Sequence, residues 1–280
     1  MATRRDVLRT MAAAAAAAAL PVWPAPTSEA RLKKIGVQLY TVRDALKADF
    51  DGTLRKVAAI GYQEVEFAGY MGRTPAQVKA SLKAAKLAAP SAHLDLELLE
   101  KSWAPTVEAA RTIGLEYLIV AWIDAARRAS IEDYKRIAGT FNQLGRQANA
   151  AGLRFGYHNH AYEMAPMEGR VPYDVLLENT DPALVCFEMD LYWTVAGGQD
   201  PLTYFAKYPG RFPLVHVKDR TALGKMVDVG AGTIDWATIF AHRKQAGIKH
   251  EFVEHDEPGD PFASIAASYS YLRALRFPNG

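Results

Sequence analysis

The chain has 280 residues, of which 50% are hydrophobic and 23% are charged, and its net charge is +2 at pH 7. The length fits one eight-stranded barrel or two ordinary domains, and the composition is typical of a soluble globular enzyme. Without its first 30 residues the chain loses three arginines and two acidic residues, so its charge falls to +1. Such a charge provides no basic surface for a polyanion, and nucleic acid is therefore not an expected partner. The single cysteine, Cys186, excludes an internal disulfide.

Residues 1–30 have the pattern of an export signal. A charged segment at residues 3–9 precedes an apolar run at residues 11–20, and small residues and prolines follow. The adjacent pair Arg4 and Arg5 is typical of a twin-arginine signal. This pair predicts a periplasmic or secreted protein, with the twin-arginine translocase as its partner during export. A polyalanine helix and a retained anchor are the alternatives.

Residues 31–280 alternate between short apolar runs and helix-like stretches. The spacing from one run to the next, roughly 25 to 40 residues, is that of repeated strand–helix–strand units. The predicted strands cover residues 34–40, 62–67, 87–93, 116–122, 153–158, 184–189, 212–217 and 249–253. The predicted helices cover residues 53–60, 74–86, 105–113, 130–151, 172–179, 200–207, 236–245 and 262–275.

This order predicts a single (βα)8 TIM barrel of the α/β class, formed as one domain by residues 31–280. Pro90 is unfavourable in the third strand, because proline cannot donate a hydrogen bond to a neighbouring strand. A doubly wound open sheet is the main alternative. The first strand, however, is not followed by the G-x-G-x-x-G phosphate turn of that fold.

Acidic and imidazole residues stand at the ends of the later strands. The C-terminal ends of barrel strands surround one mouth, so residues far apart in the sequence meet there. Mixed histidine and carboxylate ligands suit one divalent metal ion, such as Mn²⁺, Zn²⁺, Co²⁺ or Mg²⁺. The predicted metal ligands are His158, Asp190, His216 and Glu254. Glu188 precedes Asp190 by two positions on the same side of the strand and is a fallback ligand.

Further side chains near the strand ends are candidates for catalysis or substrate binding. His158 and His160 share one face of the fifth strand, so the reverse assignment, with His160 as the ligand, stays open. Lys218 faces the same way as the histidine two positions earlier and could bind a substrate oxygen or polarise a carbonyl. Glu254 could take a proton from the carbon next to a carbonyl. Glu163 could orient a histidine or bind substrate.

Other candidates for substrate binding have a structural role as an equal alternative. Glu66 and His93 end the second and third predicted strands. Trp122, Tyr192 and Trp193 also lie near strand ends, where an aromatic face would suit the C–H face of a sugar ring. Ordinary packing would explain the aromatic residues equally well.

An ordered set of short segments carries a family resemblance. The segments are residues 36–40, 65–67, 157–160 (Tyr-His-Asn-His), 189–193, 216–219 and 230–236, together with Glu254. On this set, the chain from Lys34 onward resembles the xylose-isomerase-like barrel superfamily, specifically its sugar phosphate isomerase/epimerase members. The resemblance implies one divalent metal held by ligands from strands five to eight.

The fifth strand departs from one branch of that family. Ketose epimerases in the family carry two metal-bound glutamates, whereas this chain offers Glu254 on the eighth strand and His158 on the fifth. The Tyr-His-Asn-His segment is closer to inosose dehydratases and to relatives that cleave 3-keto-glycosides. That similarity implies proton removal next to a ketone, a metal-stabilised enediolate and loss of a β-substituent, with Glu254 or His160 as the base.

The leading hypothesis is therefore a divalent-metal-dependent isomerase, epimerase or lyase acting on a keto-sugar, keto-glycoside or keto-cyclitol. The export signal favours substrates without phosphate, because phosphorylated sugars are usually kept in the cytoplasm. A non-catalytic sugar-binding barrel is one alternative. A nuclease similar to endonuclease IV is another, but it would need three metals and a basic DNA-binding face. Association into a homo-oligomer is left open.

Overall fold

Eight parallel strands form a closed barrel in chain order, and the eighth strand pairs with the first. This computed structural model describes residues 29–279. The prediction of a single α/β TIM barrel is confirmed. The barrel strands are β1 (Gly36–Gln38), β2 (Glu64–Phe67), β3 (Ala88–Leu94), β4 (Tyr117–Val120), β5 (Arg154–His158), β6 (Val185–Asp190), β7 (Leu214–Val217) and β8 (His250–Val253).

Helices connect the strands and cover the barrel from outside. They are α1 (Arg43–Ala48), α2 (Phe50–Ile60), α3 (Pro75–Ala85), α4 (Leu96–Lys101), α5 (Trp103–Ile113), α6 (Ile131–Ala150), α7 (Pro172–Asn179), α8 (Leu191–Ala196), α9 (Pro201–Lys207), α10 (Trp236–Ala241), α11 (Arg243–Ala246) and α12 (Pro261–Ala274). Helices α1, α4 and α8 were not predicted. The helix predicted over residues 236–245 is divided into α10 and α11.

Each unpredicted helix is short and adjoins another element. Helix α4 is separated from β3 by one residue, its cap Asp95, whose Oδ1 accepts a hydrogen bond from the backbone N of Glu97 at 2.7 Å. Helix α8 follows β6 without any intervening residue. Helices α1, α4 and α8 have six residues each, too few to display a periodic apolar pattern.

Strand β3 continues through Pro90 because its pairing with β2 is irregular there. Glu64 pairs with Ala88, but Glu66 pairs with Ser91, so β3 contains one extra residue between the two pairs. Pro90 lies in this bulge, where the missing N–H does not interrupt the pairing on either side.

The predicted export signal lies outside the described residues, apart from its last two. Those two, Glu29–Ala30, pair in antiparallel fashion with Phe277–Pro278 near the other end of the chain. In the part of the chain that the structure describes, no helix is both long enough and apolar enough to cross a membrane.

The interior of the barrel changes from apolar to polar toward the C-terminal ends of the strands. Inward-facing residues alternate with residues that pack against the helices. An apolar cluster, separate from the main core, fills the lower interior, and its members are Tyr117, Ile119, Cys186, Leu214 and Phe252. The residues two positions after Cys186, Leu214 and Phe252 face the same way but are polar. They are Glu188, His216 and Glu254. The apolar cluster therefore forms a base on which a polar site rests.

Candidate active site

A pocket of about 930 Å³ opens at the C-terminal ends of the barrel strands. The side formed by β5 to β8 is polar and contains His158, His160, Trp193, Lys218 and Glu254. The side formed by the ends of β1 to β4 contains Tyr40, Ala68, His93, Leu94, Asp95, Ala121 and Trp122. Residues 225–226 and 255–257 complete the lining.

One ammonium group and three carboxylates meet at the floor of this pocket. Lys218 Nζ lies 2.9 Å from Asp190 Oδ2, 2.6 Å from Glu254 Oε2 and 2.9 Å from Asp256 Oδ1. Burial acts to raise the pKa of Glu254, but the charges of Lys218 and His216 hold it below its ordinary value. Burial acts to lower the pKa of Lys218, but Asp190 and Glu254 raise it well above its ordinary value. Glu254 and Lys218 are therefore both charged at neutral pH.

Three histidines surround two further carboxylates directly below this floor. His93 Nε2 lies 2.7 Å from Glu188 Oε2 and 3.1 Å from Glu66 Oε2. His216 Nε2 lies 2.7 Å from Glu66 Oε2. His158 Nδ1 lies 3.2 Å from Glu188 Oε2. The second oxygen of each carboxylate, Oε1, is buried without a hydrogen-bond partner, which is uncommon for a buried polar atom.

Burial and neighbouring charges shift the pKa values of the side chains below the floor in different directions. Burial and the charge of Glu66 raise the pKa of Glu188 to about 7. Burial acts in the same sense on Glu66, but His93 and His216 bring its pKa well below the ordinary value. Burial, together with the charges of His216 and His93, lowers the pKa of His158 well below its ordinary value. His158 is therefore neutral, the form of imidazole that binds a metal.

Two overlapping groups of these side chains could hold a divalent metal ion. Within each group the ligand atoms lie within 4.8 Å of one another. Imidazole nitrogens with carboxylate oxygens are a suitable donor set for Zn²⁺, Mn²⁺ or Co²⁺, and the orphaned carboxylate oxygens nearby are consistent with such a role. The upper group is Asp190, His216 and Glu254, and the lower group is His93, His158, Glu188 and His216.

Two histidines connect the upper and lower groups. His158 Nε2 lies 3.7 Å from Asp190 Oδ2, and His216 Nδ1 lies 2.8 Å from Glu254 Oε2. The opposite ring nitrogens face the carboxylates of the lower cluster. Metal-bound histidines typically pair their second nitrogen with an outer carboxylate in this way, which fixes the orientation of the ring. The arrangement thus fits a metal in the upper group, with the lower carboxylates behind it.

His160 lies beside the pocket floor on the loop after β5. Its backbone N donates a hydrogen bond to Glu163 Oε2 at 2.9 Å, and the Tyr157 hydroxyl donates to the other oxygen of Glu163. Burial and the charge of Lys218 lower the pKa of His160 to about 3, so its ring is neutral. His160 Nδ1 is buried without a hydrogen-bond partner. Glu163 thus fixes the backbone of the loop at His160. The imidazole Nδ1 of His160 has no partner among the residues that the structure describes.

The unpredicted helix α8 fixes two of the site residues. Asp190 caps this helix, because its Oδ1 accepts a hydrogen bond from the backbone N of Trp193 at 2.9 Å. Its other oxygen, Oδ2, faces Lys218. The Trp193 ring lies over Lys218 Nζ, with 5.7 Å between the nitrogen and the ring centroid. The carboxylate of Asp190 therefore caps the helix with one oxygen and contacts Lys218 with the other.

The structure brings most of the predicted site residues together. His158, Glu254, Lys218 and His160 line the pocket, and Trp193 forms part of its wall. The other two predicted ligands, Asp190 and His216, are buried directly behind them, in contact with Lys218 and Glu254. His93 reaches the floor from the opposite side. Glu66, below the floor, and Glu163, beside the backbone of His160, were considered as substrate-binding residues, but both are buried and neither lines the pocket.

Sequence reasoning missed Gln38 and Asp256 and gave Glu188 only a secondary place. Gln38 Nε2 donates a hydrogen bond to Glu66 Oε2 at 2.8 Å, and Lys218 donates to Asp256. The alternation of strand residues could have identified them, because Gln38 ends β1 and Asp256 lies two positions after the end-of-strand glutamate.

Comparison with known proteins places the chain in a family. Residues 54–275 match the xylose isomerase-like TIM barrel family, so the chain belongs to that family. An inosose dehydratase of Geobacillus kaustophilus (strain HTA426) is 27% identical over 269 residues, which span 81% of this chain and 85% of the relative. A crystal structure of a sugar phosphate isomerase/epimerase from Parabacteroides distasonis ATCC 8503 is 31% identical, with a TM-score of 0.77, and covers 87% of this chain and 99% of that one.

A more distant structure shares the fold alone. It is the IOLI protein, described with a binding zinc atom, which is 14% identical with a TM-score of 0.68 and covers 85% of this chain and 95% of that one. The predicted resemblance to the xylose-isomerase-like barrels is confirmed. The prediction of an enzyme similar to sugar isomerases and epimerases is confirmed as well, because the relatives named here for an activity are enzymes of this kind.

Proposed function

We propose that the protein is a divalent-metal-dependent lyase or isomerase that removes a proton next to the ketone of a keto-sugar, keto-glycoside or keto-cyclitol. One observation carries this proposal: His158, Asp190, His216 and Glu254 converge from four consecutive strands beside a pocket, which His158 and Glu254 line. The similarity to an inosose dehydratase along most of both chains supports a substrate of this class.

The same four residues would hold the metal. A divalent cation there would supply positive charge to stabilise negative charge that develops on a substrate oxygen. The zinc described for the distant IOLI structure makes Zn²⁺ one of the ions to test, along with Mn²⁺ and Co²⁺. Glu66 and Glu188 would position the histidines by accepting hydrogen bonds from their outer nitrogens.

The protein's own groups are in suitable forms for proton transfer at neutral pH. Glu254 is ionised and His160 is neutral, so either could accept a proton from carbon. Lys218 is charged and reaches the same floor, where it would bind the oxygen of the ketone or of the leaving group. Base-promoted elimination requires one proton acceptor and one donor, and this trio provides both.

Export by the twin-arginine route belongs to the same proposal. Its support is the pair Arg4 and Arg5 followed by the short apolar run at residues 11–20. A location outside the cytoplasm would favour keto-glycosides and other substrates without phosphate.

The test combines metal analysis with ¹H NMR in D₂O, using keto-glucosides and inosose as substrates. We expect one metal ion per chain in the wild-type protein, together with deuterium uptake or elimination. Glu254→Gln should abolish the reaction, whereas Glu257→Gln, at the rim of the same pocket, should retain it. A metal-free wild-type protein that leaves every keto-sugar unchanged would overturn the proposal in favour of a sugar-binding barrel without catalysis.

A further inference from the structure

The part of the pocket formed by the ends of β1 to β4 differs in character from the polar side. Ala68 and Ala121, which are small, and Tyr40 and Trp122, which are aromatic, line this part of the pocket. These four residues follow β1, β2 and β4, whereas the polar groups of the proposed reaction come from β5 to β8. The pocket therefore has a reacting side and a second side that the proposed chemistry does not use.

Two large aromatic residues of this second side are exposed. Trp122 exposes 54% of its surface and Tyr40 exposes 42%, although most large hydrophobic residues of the described chain are buried. Exposed aromatic rings at the rim of a pocket are a common means of binding ligands, because stacking on a ring buries apolar surface of both partners. Trp122 and Tyr40 follow β4 and β1, so they flank the second side at its two ends.

Trp122 is held in place although it is exposed. The guanidinium carbon of Arg128 lies 5.4 Å from the centroid of the Trp122 ring, and the rings of His160 and Tyr162 pack edgewise with it at 5.4 Å and 5.2 Å. Arg128 is itself fixed, because its Nε donates a hydrogen bond to the carbonyl oxygen of Ile123 at 2.9 Å. A preorganised ring loses little conformational freedom on binding a ligand.

The size of the pocket points the same way. Its volume of about 930 Å³ lies near the upper end of the range for sites that enclose drug-sized ligands, roughly 300 to 1,000 Å³. A single sugar or cyclitol ring at the polar floor would fill only part of this volume.

From these observations we propose that the side of the pocket between Tyr40 and Trp122 is a subsite for a second ring. The substrate is then a two-ring glycoside, with its keto-sugar at the polar floor and its second ring on Trp122. This inference rests on the proposed function for the identity of the first ring. The shared chemistry is a ring with an apolar face, which a second sugar or an aromatic aglycone could supply. Asp95, also in this part of the lining, could accept hydrogen bonds from sugar hydroxyls.

The test measures binding rather than turnover, so it does not depend on the reaction. Calorimetric titration of the metal-loaded protein would use methyl β-glucoside, cellobiose and phenyl β-glucoside, which lack the ketone and cannot react. We expect at least one of the two-ring ligands to bind about tenfold or more tightly than methyl β-glucoside. Preference for cellobiose would identify a second sugar, and preference for phenyl β-glucoside an aromatic aglycone.

Variants locate the effect. Trp122→Ala should remove most of the preference for two rings, and Trp122→Phe, which keeps an aromatic ring, should retain part of it. Leu98→Ala, which truncates another exposed hydrophobic residue outside the pocket lining, should leave the preference unchanged. Equal binding of one-ring and two-ring ligands by the wild-type protein, or no binding of any, would overturn the subsite. A clear preference in a protein without turnover would instead retain the subsite and reject the proposed reaction.

Discussion

Individual glutamates in this barrel differ in proton affinity because each faces different neighbours. Glu254 and Glu163 are both buried. Lys218 and His216 hold Glu254 ionised, whereas no such cation outweighs burial at Glu163, whose pKa rises to about 8 despite the hydrogen bond from Tyr157. The sequence shows that these residues are acidic, but not which partners the fold gives them. Sequence reasoning therefore assigned Glu163 to substrate binding or histidine orientation without separating the two.

The raised pKa of Glu163 predicts a specific dependence of stability on pH. The folded protein keeps a proton that the unfolded chain releases above its ordinary value of 4.5. The stability contribution is therefore fully present below about pH 4.5 and is lost as pH rises to about 8, by about 1.4 kcal/mol per pH unit at most. Glu163→Gln should remove this contribution, so the free energy of unfolding should fall less steeply between pH 5 and about pH 8 than in the wild-type protein, as measured by urea denaturation.

The slope, and not the absolute stability, is the informative quantity, because the amide also disturbs the hydrogen bonds to Tyr157 and His160. Glu168→Gln is a matched control, since Glu168 is an exposed acid of the same loop. Its pH profile should follow that of the wild-type protein. Parallel profiles for Glu163→Gln and Glu168→Gln would show that Glu163 is already ionised in the folded state.

At the scale of the elements, the strands were predictable and the short helices were not. Every predicted strand overlaps a barrel strand, because a buried parallel strand appears in the sequence as an apolar run. Helix α8 was missed because its six residues begin directly after the strand that ends at Asp190, a predicted metal ligand. Its carboxylate is also the helix cap, and a single acidic residue at the end of a strand does not reveal both roles in the sequence.

The long helix α6 offers a sharper test of packing, because it contains two glycines in different surroundings. A Cβ at Gly145 would lie 2.5 Å from the carbonyl oxygen of Leu184, just before β6, whereas a Cβ at Gly139 would have no neighbour within 4 Å. Gly139→Ala should therefore stabilise the protein by about 0.5–1 kcal/mol through helix propensity. Gly145→Ala should destabilise it by about 1–3 kcal/mol, because backbone cannot give way easily.

Thermal unfolding of the two variants would measure this difference. The same chemical change is made twice in one helix, so helix propensity cancels and the packing of α6 against the start of β6 remains. A gain in stability for Gly145→Ala equal to that for Gly139→Ala would mean that the helix can move away from the barrel without cost.

For the whole molecule, the polar interior connects strands on all sides of the barrel. Glu66 on β2, His93 on β3, His158 on β5, Glu188 on β6 and His216 on β7 are in mutual contact. The fold could be predicted from the order of strands, and so could the convergence of residues at one mouth. The depth of the charged cluster could not, because the sequence gives no register between neighbouring strands, and register decides which side chains meet.

Because these contacts join several strands, we expect a bound metal to stabilise the barrel. We also expect Glu66 to increase the affinity for the metal by orienting His216. A metal at 100 times its dissociation constant adds about 2.7 kcal/mol to the free energy of unfolding, which corresponds to a rise in Tm of roughly 5–10 °C. Glu66→Gln weakens the hydrogen bond that orients His216, and loss of such an outer partner typically reduces metal affinity about 10–100-fold. At the same metal concentration, the metal-induced rise in Tm should therefore fall to about half or less.

Glu64→Gln provides the matched control for this prediction. Glu64 lies two residues earlier on the same strand and is also buried, but it pairs with His250 and Lys34 at the opposite end of the barrel. Both variants lose one buried carboxylate, so both should lower the Tm of the metal-free protein, and only the metal-induced shift separates them. Differential scanning calorimetry with and without Zn²⁺, Mn²⁺ or Co²⁺ should give a wild-type shift for Glu64→Gln. If both variants lost the metal-induced shift equally, the cause would be weakening of the barrel as a whole. If Glu66→Gln kept the full shift, Glu66 would not help to orient the metal ligands.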